Sequence, residues 1–207
     1  MAVGLLLLGF ILLGTLKTQA QDFWPTWLPS LHLRKVPVQP DFQADQFQGK
    51  WYTIATTDSR IQNGSEKQIN MSSIIYKLEH DHSFISSSFL LRDQVCEQFI
   101  RTFVPSIRHG QFKLANMKRY HGVQSYTMTV AATNYNEFAV VYINQMVRSR
   151  VDFRMDLYGR SKELSPTVNE DFVILAKYLG LMDDNIVFTT PLGNDELSRR
   201  REAVGLL

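Results

Sequence analysis

The residues best placed for binding chemistry form an alternating run, Phe99-Ile100-Arg101-Thr102-Phe103. In a strand, Phe99, Arg101 and Phe103 share one face, and Cys96, Gln98 and Ile100 share the other. An arginine between phenylalanines on a buried face is costly unless an anion meets it. That face therefore reads as one wall of a ligand site. A second run places Asp152, Arg154, Asp156 and Tyr158 on one side and Phe153, Met155 and Leu157 on the other. The apolar side suits a packed helix, which leaves the polar side for the ligand. Ser88, Tyr126, Ile143 and Gln145 complete the wall from neighbouring segments, while Phe103, Met128, Val130, Val141 and Ile143 would line an apolar pocket or merely fill a small barrel. Two readings of the charges stay open. Arg101 and Arg154 offer two cations to a ligand, or Arg154 pairs with Asp152 or Asp156, as buried charges usually do.

Other reactive types carry less. Glu79-His80-Asp81-His82 has the composition of a metal cluster, but alternation separates its acids from its histidines. It reads as a polar turn, and no direct metal site is assigned. No Ser-His-Asp order or paired carboxylate stands out, so no catalytic residue is assigned and the chain reads as a binding protein. Cys96 is the sole cysteine, an odd number for an exported chain, and its strand face points it outward into solvent. Asn63-Gly64-Ser65 and Asn70-Met71-Ser72 are glycan acceptors where exposed.

The elements that position these residues follow from the rest of the 207-residue chain. Residues 1–20 read as a secretory signal: the apolar stretch from Leu5 to Leu13 is too short to span a bilayer, and Thr18-Gln19-Ala20 suits cleavage. Secretion to the extracellular space follows. Residues 21–40 form a leader whose closely spaced prolines keep it extended. Residues 41–191 form one domain, and 192–207 a tail expected to be disordered. A net charge of +2 gives no footing for nucleic acid, and no other window is apolar enough for a membrane span.

Within the domain, strands fall near 50–57, 69–79, 83–91, 95–104, 111–116, 124–133, 137–145 and 151–159, separated by turn residues. This is an all-β, antiparallel, up-and-down meander, the pattern of an eight-stranded sheet closing into a barrel. One C-terminal helix follows, capped by Ser165-Pro166 and ended at Gly180, with Phe172, Leu175, Ala176 and Leu179 on one stripe. It packs outside the barrel. A short strand at 185–188 can rejoin the sheet.

Three motifs in order then resemble those of the lipocalin family. They are Gly49-Lys50-Trp51 entering the first strand, Thr133-Asn134-Tyr135, and Tyr158-Gly159-Arg160. The resemblance implies a secreted carrier barrel whose floor is closed by Arg160 stacked on Trp51. Ile100 to Pro105, Asn134 to Asn136 and Leu157 to Ser165 are similar to the siderophore-binding branch of that family. That branch implies no resident cofactor, and iron carried inside a ferric catecholate siderophore as innate immune defence. It also implies a cell-surface uptake receptor. Arg101 and Arg154 match two of the branch's three lumenal cations, while Gln145 stands at the third. Asp152 and Asp156 replace neutral residues, and Phe99 replaces a larger aromatic. The alternative is a carrier of an apolar ligand such as a retinoid, fatty acid or odorant. A lipocalin-type isomerase would need a lumenal thiol on the first strand, and 54–58 has none. The branch pairs the cysteine at position 96 with one at 195, here Asp195, which leaves the chain as a monomer or a weak dimer linked through Cys96.

Overall fold

A computed structural model describes residues 36–61, 64, 68–92 and 95–191. The signal, all of the leader before Val36, Asn63 and the tail from 192 lie outside the described residues.

Eight strands close into an antiparallel barrel: β1 (Gly49–Asp58), β2 (Ser73–Leu78), β3 (Phe84–Arg92), β4 (Val95–Pro105), β5 (Gln111–Leu114), β6 (Val123–Thr133), β7 (Phe138–Val147) and β8 (Arg150–Gly159). Each pairs with the next in sequence, and β1 pairs with both β8 and β2, so the sheet has no open seam. The expected meander is what forms, because alternating apolar faces leave a closed sheet as the way to bury one side of every strand. A ninth strand, β9 (Ile186–Phe188), pairs with the outer half of β1. The second strand begins at Ser73 rather than 69. Asn70 instead makes an isolated parallel bridge with Thr190, and Met71 N–H donates to the Thr190 carbonyl.

A short helix, α1 (Ala44–Phe47), plugs the end where β1 begins, with Phe47 fully buried. The longer helix, α2 (Pro166–Tyr178), lies outside the barrel. Ser165 caps it by accepting from Val168 N–H, and Gly180 turns the chain out at φ 88°. Two cores result. Phe42, Phe47, Trp51, Tyr76, Phe84, Phe112 and Met128 fill the lower lumen. Met155 and Leu157 of β8 meet Phe172, Ala176 and Leu179 on the outside, so β8 divides its faces as its alternation requires. With the lower half filled, a ligand is left the upper half, toward the β1–β2, β3–β4, β5–β6 and β7–β8 connections.

Candidate functional site

The floor is built from the motif residues. Gly49 enters β1 at φ 100°, a left-handed conformation that an added Cβ could hold only 3.1 Å from Arg160 Nη1. Trp51, wholly buried, donates Nε1–H to the Phe47 carbonyl at 2.8 Å. The Arg160 guanidinium lies 3.6 Å from the Trp51 ring centroid. Its nitrogens donate to the carbonyls of Gln46, Gln48, Lys50 and Tyr135 at 2.9–3.0 Å. Thr133 fixes the neighbouring turn: its hydroxyl donates to Phe138 O and accepts from Tyr135 N–H, with Tyr135 at φ 65°. Burial lowers the Arg160 pKa, yet the side chain stays charged at any physiological pH.

Above this floor opens a cavity of about 350 Å³. Ten residues singled out from the sequence line it together: Ser88, Phe99, Arg101, Phe103, Tyr126, Met128, Ile143, Arg154, Asp156 and Tyr158. Gln145 and Asp152 stand beside it instead. They border a separate void of about 20 Å³, room for one water, shared with Asp58, Arg60 and Arg154. The cavity has two kinds of wall. Phe99, Phe103, Tyr126, Met128 and Ile143 form an aromatic and apolar side, with Phe103 and Tyr126 ring centroids 5.8 Å apart. Thr53, Thr56, Ser72, Ser86 and Thr189 form a hydroxyl side on which all but Thr53 have their protons already placed. Ser72 donates to Thr53 Oγ1, Thr189 to Thr53 O, Ser86 to Arg101 O, and Thr56 to Asp156 Oδ1.

The charges resolve one by one. Arg154 Nη2 lies 3.1 Å from Asp156 Oδ2, and that carboxylate raises the arginine pKa against the opposing effect of burial. Asp156 also accepts from Thr56 at 2.6 Å and Tyr158 at 3.3 Å. Asp152, the other candidate partner, is taken by Arg150 at 2.9 Å. Asp58, opposite Arg154 in the β1–β8 register, is held by Arg60 at 2.6 Å. Arg101 is different. Among the described residues it has no carboxylate partner, and its guanidinium sits 5.6 Å from the Phe99 ring centroid. Burial raises the pKa of Tyr76 and Tyr158, so both hydroxyls stay neutral. The lumen thus presents one uncompensated cation beside aromatic rings, over a hydroxyl-bearing wall.

The family model of the lipocalin / cytosolic fatty-acid binding protein family matches residues 48–192. The chain belongs to this family. It is 47% identical over 193 residues to mouse neutrophil gelatinase-associated lipocalin, covering 92% of this chain and 96% of that one. Against the human protein of the same name the identity is 42% over 192 residues, covering 93% and 97%. The solution structure of lipocalin 12 from rat epididymis superposes with a TM-score of 0.68 at 22% identity, over 75% of this chain and 89% of that one. That likeness is one of fold.

Residue alternation put the described strand candidates of this lipocalin on the lumenal side, but three features escaped it. Arg150, Arg60 and Asp58 belong to the same ladder of charges as Arg154 and Asp156, and each stands at a strand end or just beyond it, where alternation loses force. The Ser/Thr wall carried no signal, since small hydroxyls read equally well as turn residues. Cys96 faces outward opposite Leu91 as its alternation demands, but it is half-buried, not the open thiol the sequence suggested. Asn70, exposed, lines the cavity mouth. No helix among the described residues is long and apolar enough to cross a membrane.

Proposed function

We propose that this lipocalin is a secreted carrier of one small amphipathic monoanion, an apolar or aromatic body ending in a carboxylate. The observation that carries the reading is Arg101: an unpaired cation beside Phe99 and Phe103, in a cavity where Arg154 is already neutralised by Asp156. One net positive charge matches one anionic head. A cavity of about 350 Å³ lies at the small end of ligand pockets, and its aromatic wall takes the body. The hydroxyl wall, most of its protons already committed, supplies oxygen acceptors to further polar groups. The chain acts as a carrier rather than an enzyme. Its one cysteine stands outside the barrel, so a lumenal thiol mechanism has no thiol among the described residues.

A second reading, capture of a ferric catecholate siderophore, draws support from two arginines and aromatic rings lining one cavity. It asks two arginines, one already tied to a carboxylate, to meet a bulky trianion. Uptake by a cell-surface receptor and a role in innate defence belong to this reading. Calorimetry with the secreted protein separates the two, using a long-chain carboxylate, its alcohol analogue and a ferric tris-catecholate. The carrier reading expects the carboxylate to bind, the alcohol to bind more weakly, and Arg101→Gln to weaken the carboxylate by about tenfold or more. Tight binding of the ferric complex with no carboxylate binding overturns it in favour of the second.

A further inference from the structure

The hydroxyl wall of the cavity ends at its mouth in an asparagine that ligand binding leaves unused. Asn70 is exposed and lines the cavity, and its side chain makes no hydrogen bond among the described residues. Its backbone, by contrast, is clamped. Met71 N–H donates to the Thr190 carbonyl at 2.8 Å, and Thr190 N–H donates to the Ile69 carbonyl at 2.9 Å. Met71 is buried, Ser72 donates its hydroxyl to Thr53 Oγ1, and Thr53 N–H donates to the Ser72 carbonyl. The residues on both sides of Asn70 are thus fixed to β1 and to the chain beyond β9. Whatever the Asn70 amide carries is held at the rim.

Asn70 and Ser72 are also the two defining residues of the Asn70-Met71-Ser72 sequon. In the folded chain Ser72 belongs to the cavity wall with its hydroxyl committed, so the acceptor tripeptide is free only before the barrel closes. Thr190, which clamps Asn70, lies near the end of the chain, and the clamp waits for nearly the whole chain to be made. The sequon therefore stays open during synthesis, when glycan transfer takes place. The folded position then suits the product. A bulky, hydrated glycan needs a site that meets solvent, and exposed Asn70 offers one on the polar side of the mouth. Around the closed sheet, β6 with its Tyr126 and Met128 stands directly across the barrel from β2.

We propose that Asn70 carries an N-linked glycan that forms an added rim over the hydroxyl wall and filters ligands by girth. The amide nitrogen attacks C1 of the first N-acetylglucosamine of a lipid-linked oligosaccharide. The N–C1 bond forms as the C1–O bond to the lipid diphosphate breaks, and the amide proton leaves with the diphosphate. A slim chain still enters along the apolar wall across from the glycan, and a ligand as wide as the mouth does not. The filter holds whatever ligand the cavity takes. It rests on the reading of residues 1–20 as a secretory signal, which brings the chain to the transferring enzyme.

Tryptic peptides of the protein secreted by a eukaryotic cell test occupancy. Peptide 68–77 holds Asn70 and peptide 61–67 holds Asn63, so the two sequons separate. Enzymatic release of glycans in heavy-oxygen water is expected to mark Asn70. A mark at Asn63 alone, or at neither, overturns the proposal, and the first of these leaves the secretory reading standing. Girth is read without any ligand, from a thiol placed in the cavity wall by Ser88→Cys, with Cys96→Ser removing the outer one. A small methanethiosulfonate is expected to label this thiol equally fast with and without Asn70→Gln. A bulky dye maleimide is expected to react several-fold faster once Asn70→Gln removes the glycan. Enzymatic release from the folded protein gives the same comparison should Asn70→Gln fold poorly. Equal maleimide rates place the glycan away from the mouth and overturn the filter. Equal slowing of both reagents by the glycan shows a sealed cavity and overturns it as well.

Discussion

Arg160 ties the segment before β1, β1 itself and the β6–β7 turn to β8 with one planar side chain, because its fork reaches four carbonyls while its face covers Trp51. Replacing it with alanine strands those carbonyls and opens the floor. Arg160→Ala is expected to destabilise by about 2–3 kcal/mol, a drop in melting midpoint of about 5–10 °C. Arg160→Lys recovers only part, since an ammonium neither forks nor stacks as well. An unchanged midpoint for either variant contradicts the role. No local pattern joins Trp51 to a residue as distant in the chain as Arg160, and this contact was legible through the resemblance of the Gly49, Thr133 and Arg160 motifs to the lipocalin family. The fate of Arg154 was not. Asp152 and Asp156 both lie two residues away on the same strand face, so alternation cannot choose between them. The choice falls to Arg150, which takes Asp152 at the strand end, and to Thr56 and Tyr158, which fix Asp156 for Arg154.

At the scale of elements, α2 shows how a helix outside a barrel can matter to stability and be silent in binding. Its Phe172, Ala176 and Leu179 cover Met155 and Leu157, and every one of them lies across the β8 backbone from the cavity. Its ends are set by chemistry visible in the sequence: Ser165 accepting from Val168 N–H, Pro166 in the first turn, and Gly180 at φ 88°. Ser165→Ala and Gly180→Ala are each expected to cost about 1 kcal/mol, the first through a lost cap and the second through a left-handed alanine. Their combination lowers the thermal midpoint additively, the sites being well separated. Neither changes ligand affinity by calorimetry. A loss of affinity in Gly180→Ala reveals coupling between helix and lumen that the packing does not contain. The strands were equally legible, with one instructive exception. Residues 69–72 have the composition of a strand, yet their hydrogen bonds go partly to Thr190, far along the chain, and no local pattern announces so distant a partner.

For the whole molecule, the mouth is where folding and charge meet. The β1–β8 seam ends in Asp58 opposite Arg154, and Arg60 folds back to hold Asp58 by its side chain and its backbone N–H. Burial pushes the Asp58 carboxyl up, but the hydrogen bonds and charge of Arg60, with Arg154 behind it, outweigh burial and hold it below the usual carboxylate range. The folded carboxyl therefore loses its proton more readily than the unfolded one. Its contribution is fully present above the unfolded value of about 4 and is lost as pH falls through the lower folded value. Asp58→Asn removes this dependence while keeping the shape. Urea unfolding of both proteins is expected to show the native chain ahead by about 1 kcal/mol at neutral pH, with the gap closing only in strong acid, below about pH 4. Asp58 is paired with Arg60 and acts on Arg154 only as a lesser neighbour beside Asp156, so the same variant frees Arg60 and leaves one more net positive charge beside the cavity. A carboxylate ligand should accordingly bind Asp58→Asn at least as tightly as the native chain, even though the barrel is weaker. A variant that loses stability equally at every pH shows that Asp58 acts through packing, and one that loses carboxylate affinity shows that the carboxylate shapes the mouth rather than merely balancing its charge.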